Sequence, residues 1–138
     1  SQLHVVGTTT TSVLEITGGS DLAEPFEVAA GTDEAKIGVG MVVAIDPTRP
    51  GELRLASEPY DSKVAGVISG ANGLAPGLVM KAEGKGEADG KHPVALSGRV
   101  WCWVDAAHGA VHPGDLLTSS ATPGMAAPLN FPWSARLS

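Results

Sequence analysis

Aliphatic and β-branched residues alternate with polar ones in short bursts along this chain, and turn residues separate the bursts. Period-two alternation puts side chains on alternate faces of an extended backbone, so each burst predicts a strand. The predicted strands are Leu3–Val6, Val13–Thr17, Met41–Ile45, Leu53–Ala56, Val64–Ser69, Leu78–Ala82, Pro93–Leu96, Val100–Val104 and Leu116–Thr118. Pro-Gly pairs at Pro50-Gly51, Pro76-Gly77, Pro113-Gly114 and Pro123-Gly124 punctuate them. Proline presets φ for the first turn position, and glycine accepts the positive φ that follows. One helical turn is expected around Asp21–Phe26, before a proline-limited break. This rhythm predicts an all-β domain, barrel-like or sandwich.

Three regions differ in character. Residues 1–18 are rich in threonine and β-branched side chains with almost no charge, as expected of the end of a β-rich fibre stalk that must pair with neighbouring copies. Residues 19–124 form the body, interrupted by the polar, glycine-rich stretch Glu83–Lys91, which reads as an exposed loop. Residues 125–138 form a tail without a regular pattern, in which Phe131 and Trp133 are placed to pack on the body or on a partner. The chain opens inside the β-like segment Leu3-His4-Val5-Val6, which predicts that it continues something longer whose targeting signal lies upstream.

Composition narrows the classes of function. The chain has 138 residues, the size of one domain, and its Gly 18 and Pro 10 leave no long stretch for helices. A formal net charge of -6, with the basic residues scattered, argues against nucleic acid as a partner. No apolar run approaches the length of a membrane span. The single cysteine, Cys102, excludes an intrachain disulfide and reads as a small buried hydrophobe between Trp101 and Trp103.

Few residue groups carry candidate chemistry. Asp21 and Glu24 stand three apart, a spacing that would bring both carboxylates to one side of a helical turn, where neighbouring acids can do acid and base work. The alternative is a capping box, with Ser20 or Asp21 as the cap and Glu24 satisfying free amides. His108 and His112, near Asp105 and Asp115, have helical metal-ligand spacing, but Gly109 and Pro113-Gly114 make the segment a turn, and no metal or other cofactor is expected. Gly84-Lys85-Gly86 lacks the strand and helix of a phosphate loop. Trp101, Trp103 and Tyr60 offer a stacking platform for a sugar, with both indoles on one face of a strand and Cys102 on the other. In a chain with only 4% aromatic residues, the same indoles can instead fill the core or a subunit interface.

The string Gly19-Ser20-Asp21-Leu22-Ala23-Glu24-Pro25-Phe26-Glu27 is followed by Gly38-Val39-Gly40-Met41-Val42-Val43-Ala44-Ile45 and then by Val64-Ala65-Gly66-Val67-Ile68-Ser69. In content and order these blocks resemble the intramolecular-chaperone autoproteolytic domain of phage tail-spike and appendage proteins, the glutamic peptidase G2 family. The resemblance covers roughly Gly19 to Gly124, and Ser1–Gly7 resembles the last strand of bacterial and phage fibre-stalk repeats. It implies a domain at the C-terminus of an extracellular, cell-surface or virion fibre that assists homotrimerisation and then cleaves only its own chain. Carried onto this sequence, the scissile bond is Ser20–Asp21, with Asp21 and Glu24 as the assisting acids. The expectation is therefore a structural, homotrimeric fibre end whose self-cleavage is either active or vestigial, and the alternative is a tip module that binds a receptor or glycan.

Overall fold

The computed structural model describes residues 2–29, 36–81, 90–107 and 109–129. The described body is all-β: β1 Asp21–Phe26, β2 Val28–Ala29, β3 Val42–Ile45, β4 Leu53–Leu55, β5 Val64–Ile68, β6 Leu78–Val79, β7 His92–Gly98, β8 Leu117–Ser119 and β9 Ala126–Pro128. A short 3-10 turn, Ala71–Gly73, stands between β5 and β6. Seven strands form a sheet in the order β2-β4-β3-β5-β7-β1-β6, curled into a half-barrel, while β8 and β9 make a separate two-stranded ribbon. The long pairings β3–β4, β3–β5, β5–β7 and β1–β7 are antiparallel; the short edge pairs β1–β6 and β2–β4 are parallel.

The continuous apolar run at β3 makes sense because this strand is covered on both faces. Val43 joins Val28, Leu53, Ile68 and Val94 in one cluster, against which Phe26, Ile37 and Leu55 pack. Its neighbours Val42 and Ala44 point the other way, into a second cluster with Ala56 and Ala126. The β8–β9 ribbon covers that second face, held by hydrogen bonds from the Val42 amide to the Gly124 carbonyl (2.8 Å) and from the Ala126 amide to the Trp103 carbonyl (2.9 Å). Each valine, leucine or isoleucine so buried contributes about 1.5–3 kcal/mol.

Close backbone approach explains one glycine inside the sheet. A Cβ on Gly66 in β5 would fall on the carbonyl oxygen of Ala95 in β7 and within 2.9 Å of Val94 Cγ1. Between β1 and β7 the register slips: Leu22 faces Ser97 and Ala23 faces Ala95, leaving Leu96 as the extra residue of a bulge. Pro25 faces Pro93 across the same ladder, so the two missing amide donors share one rung.

Several sequence expectations need correction. Leu3–Val6 and Val13–Thr17 are not strands: every residue from Gln2 to Gly18 is exposed and none is laddered, because a strand needs a partner and the described residues offer none. Asp21–Phe26 is a strand, not a helical turn, since six residues of β7 supply its partners. Val100–Val104 is extended, but only Val104 bridges another segment, at Ala126. The chain beyond Met125 does not decay at once, for Ala126–Pro128 is a buried strand. His108, most of the Glu83–Lys91 stretch, Phe131 and Trp133 lie outside the described residues.

Candidate functional site

Where the arm enters the body, three backbone segments are pressed together. Gly19 bridges Ala75, the Gly77 amide donates to the Asp21 carbonyl (2.9 Å) and the Arg99 amide donates to the Ser20 carbonyl (3.0 Å). Gly98, at φ 105, lies over this crossing; a Cβ there would run into the Ser20 carbonyl oxygen and come within 2.6 Å of Asp21 Cα. Glycine is thus required both for the left-handed backbone and for the space.

Within this clamp the Asp21 side chain is buried, 5% exposed, and neither carboxylate oxygen has a hydrogen-bond partner. Buried polar atoms are ordinarily paired, so an orphan carboxylate is a costly feature of the fold. Glu24 stands three positions on along the same strand and is half-buried. An odd separation in a strand sends side chains to opposite faces, so Asp21 and Glu24 do not converge as they would on a helix. Ser20 contributes its carbonyl to the clamp and its side to a neighbouring groove.

That groove, of about 950 Å³, opens between the second face of the sheet, the Gly98–Cys102 segment and the ribbon. Val42, Val67, Cys102 and Ala126 are among its apolar lining, with Trp101 and Leu117 on its walls. Cys102 is partly buried; burial pushes its thiol up, against a small opposing effect of the Ala126 main chain. Trp101 is 56% and Trp103 57% exposed. Hence the indoles do not fill the described core, which is built from valine, leucine, isoleucine and alanine instead. They share one side of an extended segment, but only Trp101 lines the groove; Trp103 is tied down by its Nε1, which donates to the Val39 carbonyl (3.2 Å), and by packing against Gly40. Tyr60 is not part of this surface: its hydroxyl is buried and its backbone is left-handed, φ 55.

A charged knot that sequence reasoning did not single out sits at the end of the groove. The Asp61 carboxylate, fully buried, takes Arg54 at 3.2 Å and the Lys63 ammonium at 3.1 Å, and accepts from the Lys63 amide at 2.9 Å. Burial alone would raise this carboxyl; the Lys63 amide and ammonium, aided by Arg54, outweigh it and hold Asp61 below the ordinary carboxylate range. Ser119 locks the same loop to the ribbon, accepting from the Asp61 amide (2.8 Å) and donating to the Glu58 carbonyl (2.6 Å). The signal available in the sequence was Asp61-Ser62-Lys63, an Asx-turn pattern after Pro59.

Among the described residues no three histidine, cysteine or acidic side chains group as metal ligands, and no helix is long and apolar enough to cross a membrane. His112 Nδ1 lies 3.5 Å from Asp115 on an exposed turn. Comparison with protein-family models, curated proteins and solved structures finds no match.

Proposed function

We propose that this chain is the structural end module of an extracellular homotrimeric fibre or virion appendage, in which the body folds as a cap and the arm joins copies. One observation supports this reading above the others: the arm from Gln2 to Gly18 is wholly exposed, with Leu3 91%, Val6 86%, Val13 79% and Leu14 70% accessible. A near-uncharged segment with that much bare aliphatic surface needs cover, and identical copies are the partner always at hand. Light scattering at micromolar concentration should report three times the chain mass, and deletion of the arm should leave a folded monomer. A monomeric full chain would sink the reading.

Self-cleavage at Ser20–Asp21 belongs to this reading through Asp21 alone, because Glu24 faces away. Its support is the orphan buried carboxylate beside a peptide whose carbonyl already accepts the Arg99 amide. Hydrolysis would place a carboxylate on Ser20 and a free amine on Asp21. Mass spectrometry after prolonged incubation should find that new N-terminus in the wild type and in Glu24→Gln, and not in Asp21→Asn; an uncleaved wild type removes the activity. A glycan tip is the second reading, favoured by the exposed indole pair. Binding on a glycan array that Trp101→Ala abolishes would establish it, and a blank array would eliminate it.

A further inference from the structure

Among the described residues, two apolar surfaces are left without cover. The first is the groove, where Val64, Leu117 and Trp101 are exposed, Val67 and Cys102 are partly so, and Arg99 stands exposed beside them. Among the described residues Arg99 has no ion pair. The second is the arm, whose only acid is Glu15, flanked by Leu14 and Ile16. In an extended segment Leu14 and Ile16 share one side and Glu15 takes the other. Shape and charge are thus complementary: two aliphatic side chains for an apolar floor, and one carboxylate for one free guanidinium.

We propose that the Val13–Thr17 segment of one copy occupies the groove of the next, with Leu14 and Ile16 on the apolar floor and Glu15 paired with Arg99. This rests on the self-association reading above and specifies how it is achieved. A copy's own arm does not fill its groove. Ser20 lines that groove and Gly19 is bridged to Ala75, so the chain would have to reverse within Thr17–Gly18 to lay Ile16 back inside. Instead the arm projects, exposed, from the groove's edge. Fully extended from Gln2 to Thr17 it reaches roughly 50 Å, well beyond the ~13 Å radius of gyration of a body this size. Giving an arm and receiving one at different surfaces is a head-to-tail contact, which closes into a ring where the rotation between copies allows it; three copies make the smallest ring beyond a dimer.

The native thiol provides the test, because Cys102 is the sole cysteine and lines the groove. In full-length Leu14→Cys, mild copper–phenanthroline oxidation should give disulfide-linked species of two and three chain masses on non-reducing gels. Adding Cys102→Ser should abolish them, and the exposed body position Ser57→Cys should give at least tenfold less product. Arg99→Glu should lower the Leu14→Cys yield about tenfold, and Glu15→Arg in the same chain should restore it. A disulfide confined to monomers would overturn the inference in favour of a folded-back arm. No Leu14–Cys102 bond while scattering reports a trimer would overturn the inference alone and leave self-association standing. No bond and a monomeric mass would overturn both.

Discussion

Replacing Asp21 by asparagine should make the protein more stable. The side chain is 5% exposed and neither oxygen finds a donor, so the native state holds a carboxylate stripped of water and given nothing in return. A buried polar group left unsatisfied costs about 1–3 kcal/mol, and a charged one more. Asparagine has nearly the same shape and no charge, so about 1–2 kcal/mol of that penalty should be recovered, while the β1–β7 ladder, which uses only the backbone, is untouched. For a body of this size the gain corresponds to a rise in Tm of roughly 5–15 °C. The measurement is thermal and urea unfolding of full-length wild type and Asp21→Asn, followed by tryptophan fluorescence at matched protein concentration, since association makes Tm concentration-dependent. An unchanged m-value should accompany the shift, showing that the same surface unfolds. An equal or lower Tm would refute the reasoning, because it would mean that the carboxylate is satisfied and contributes to the fold.

Gly66→Ala should destabilise by about 3 kcal/mol in urea, because its methyl would meet the Ala95 carbonyl and drive β5 and β7 apart. Ser119→Ala should cost about 1–3 kcal/mol in the same assay, since it strands the buried Asp61 amide and releases the Glu58 carbonyl. Asp61 titrates below its unfolded value, so its contribution is fully present above about pH 4 and is lost as the pH falls further through the folded value; Asp61→Asn should flatten that part of a stability–pH curve. Trp103→Ala should cost about 1–2 kcal/mol through its bond to Val39, and Trp101→Ala, which is 56% exposed, less than that.

Much of the sheet was legible because the strands at its centre are locally consistent. Val42–Ile45, Leu53–Leu55 and Val64–Ile68 are β-branched or aliphatic, and turn residues bound them, so local preference and final pairing agree. Strand β1 was hidden because Ser20, Asp21 and Glu24 carry a helix-start pattern, which pairing with β7 overrides from far along the chain. Strand β9 was hidden for a different reason: Ala126-Ala127-Pro128 has no strand preference of its own and is extended only because the second face of the sheet buries it. The tryptophans misled in the opposite direction. Large aromatics usually go inside, but here the two faces of β3 are spaced for valine and alanine, and the indoles stay out. The groove could not be read at all, since Ser20, Val42, Val67, Trp101, Leu117 and Ala126 meet there only through the fold.

The pairing of β1 with β7 also sets a schedule. Leu22 finds its ladder partner at Ser97, so the first strand of the body cannot be completed until roughly seventy more residues have left the ribosome. At synthesis rates of about 5–20 residues per second that interval is on the order of 4–15 s, far longer than a hairpin needs to form. Throughout it Asp21–Phe26 waits as an open strand attached to a bare aliphatic arm, the kind of segment that pairs with its own likeness on a neighbouring nascent chain. The half-barrel therefore closes late, only once β7 has emerged to pair with β1.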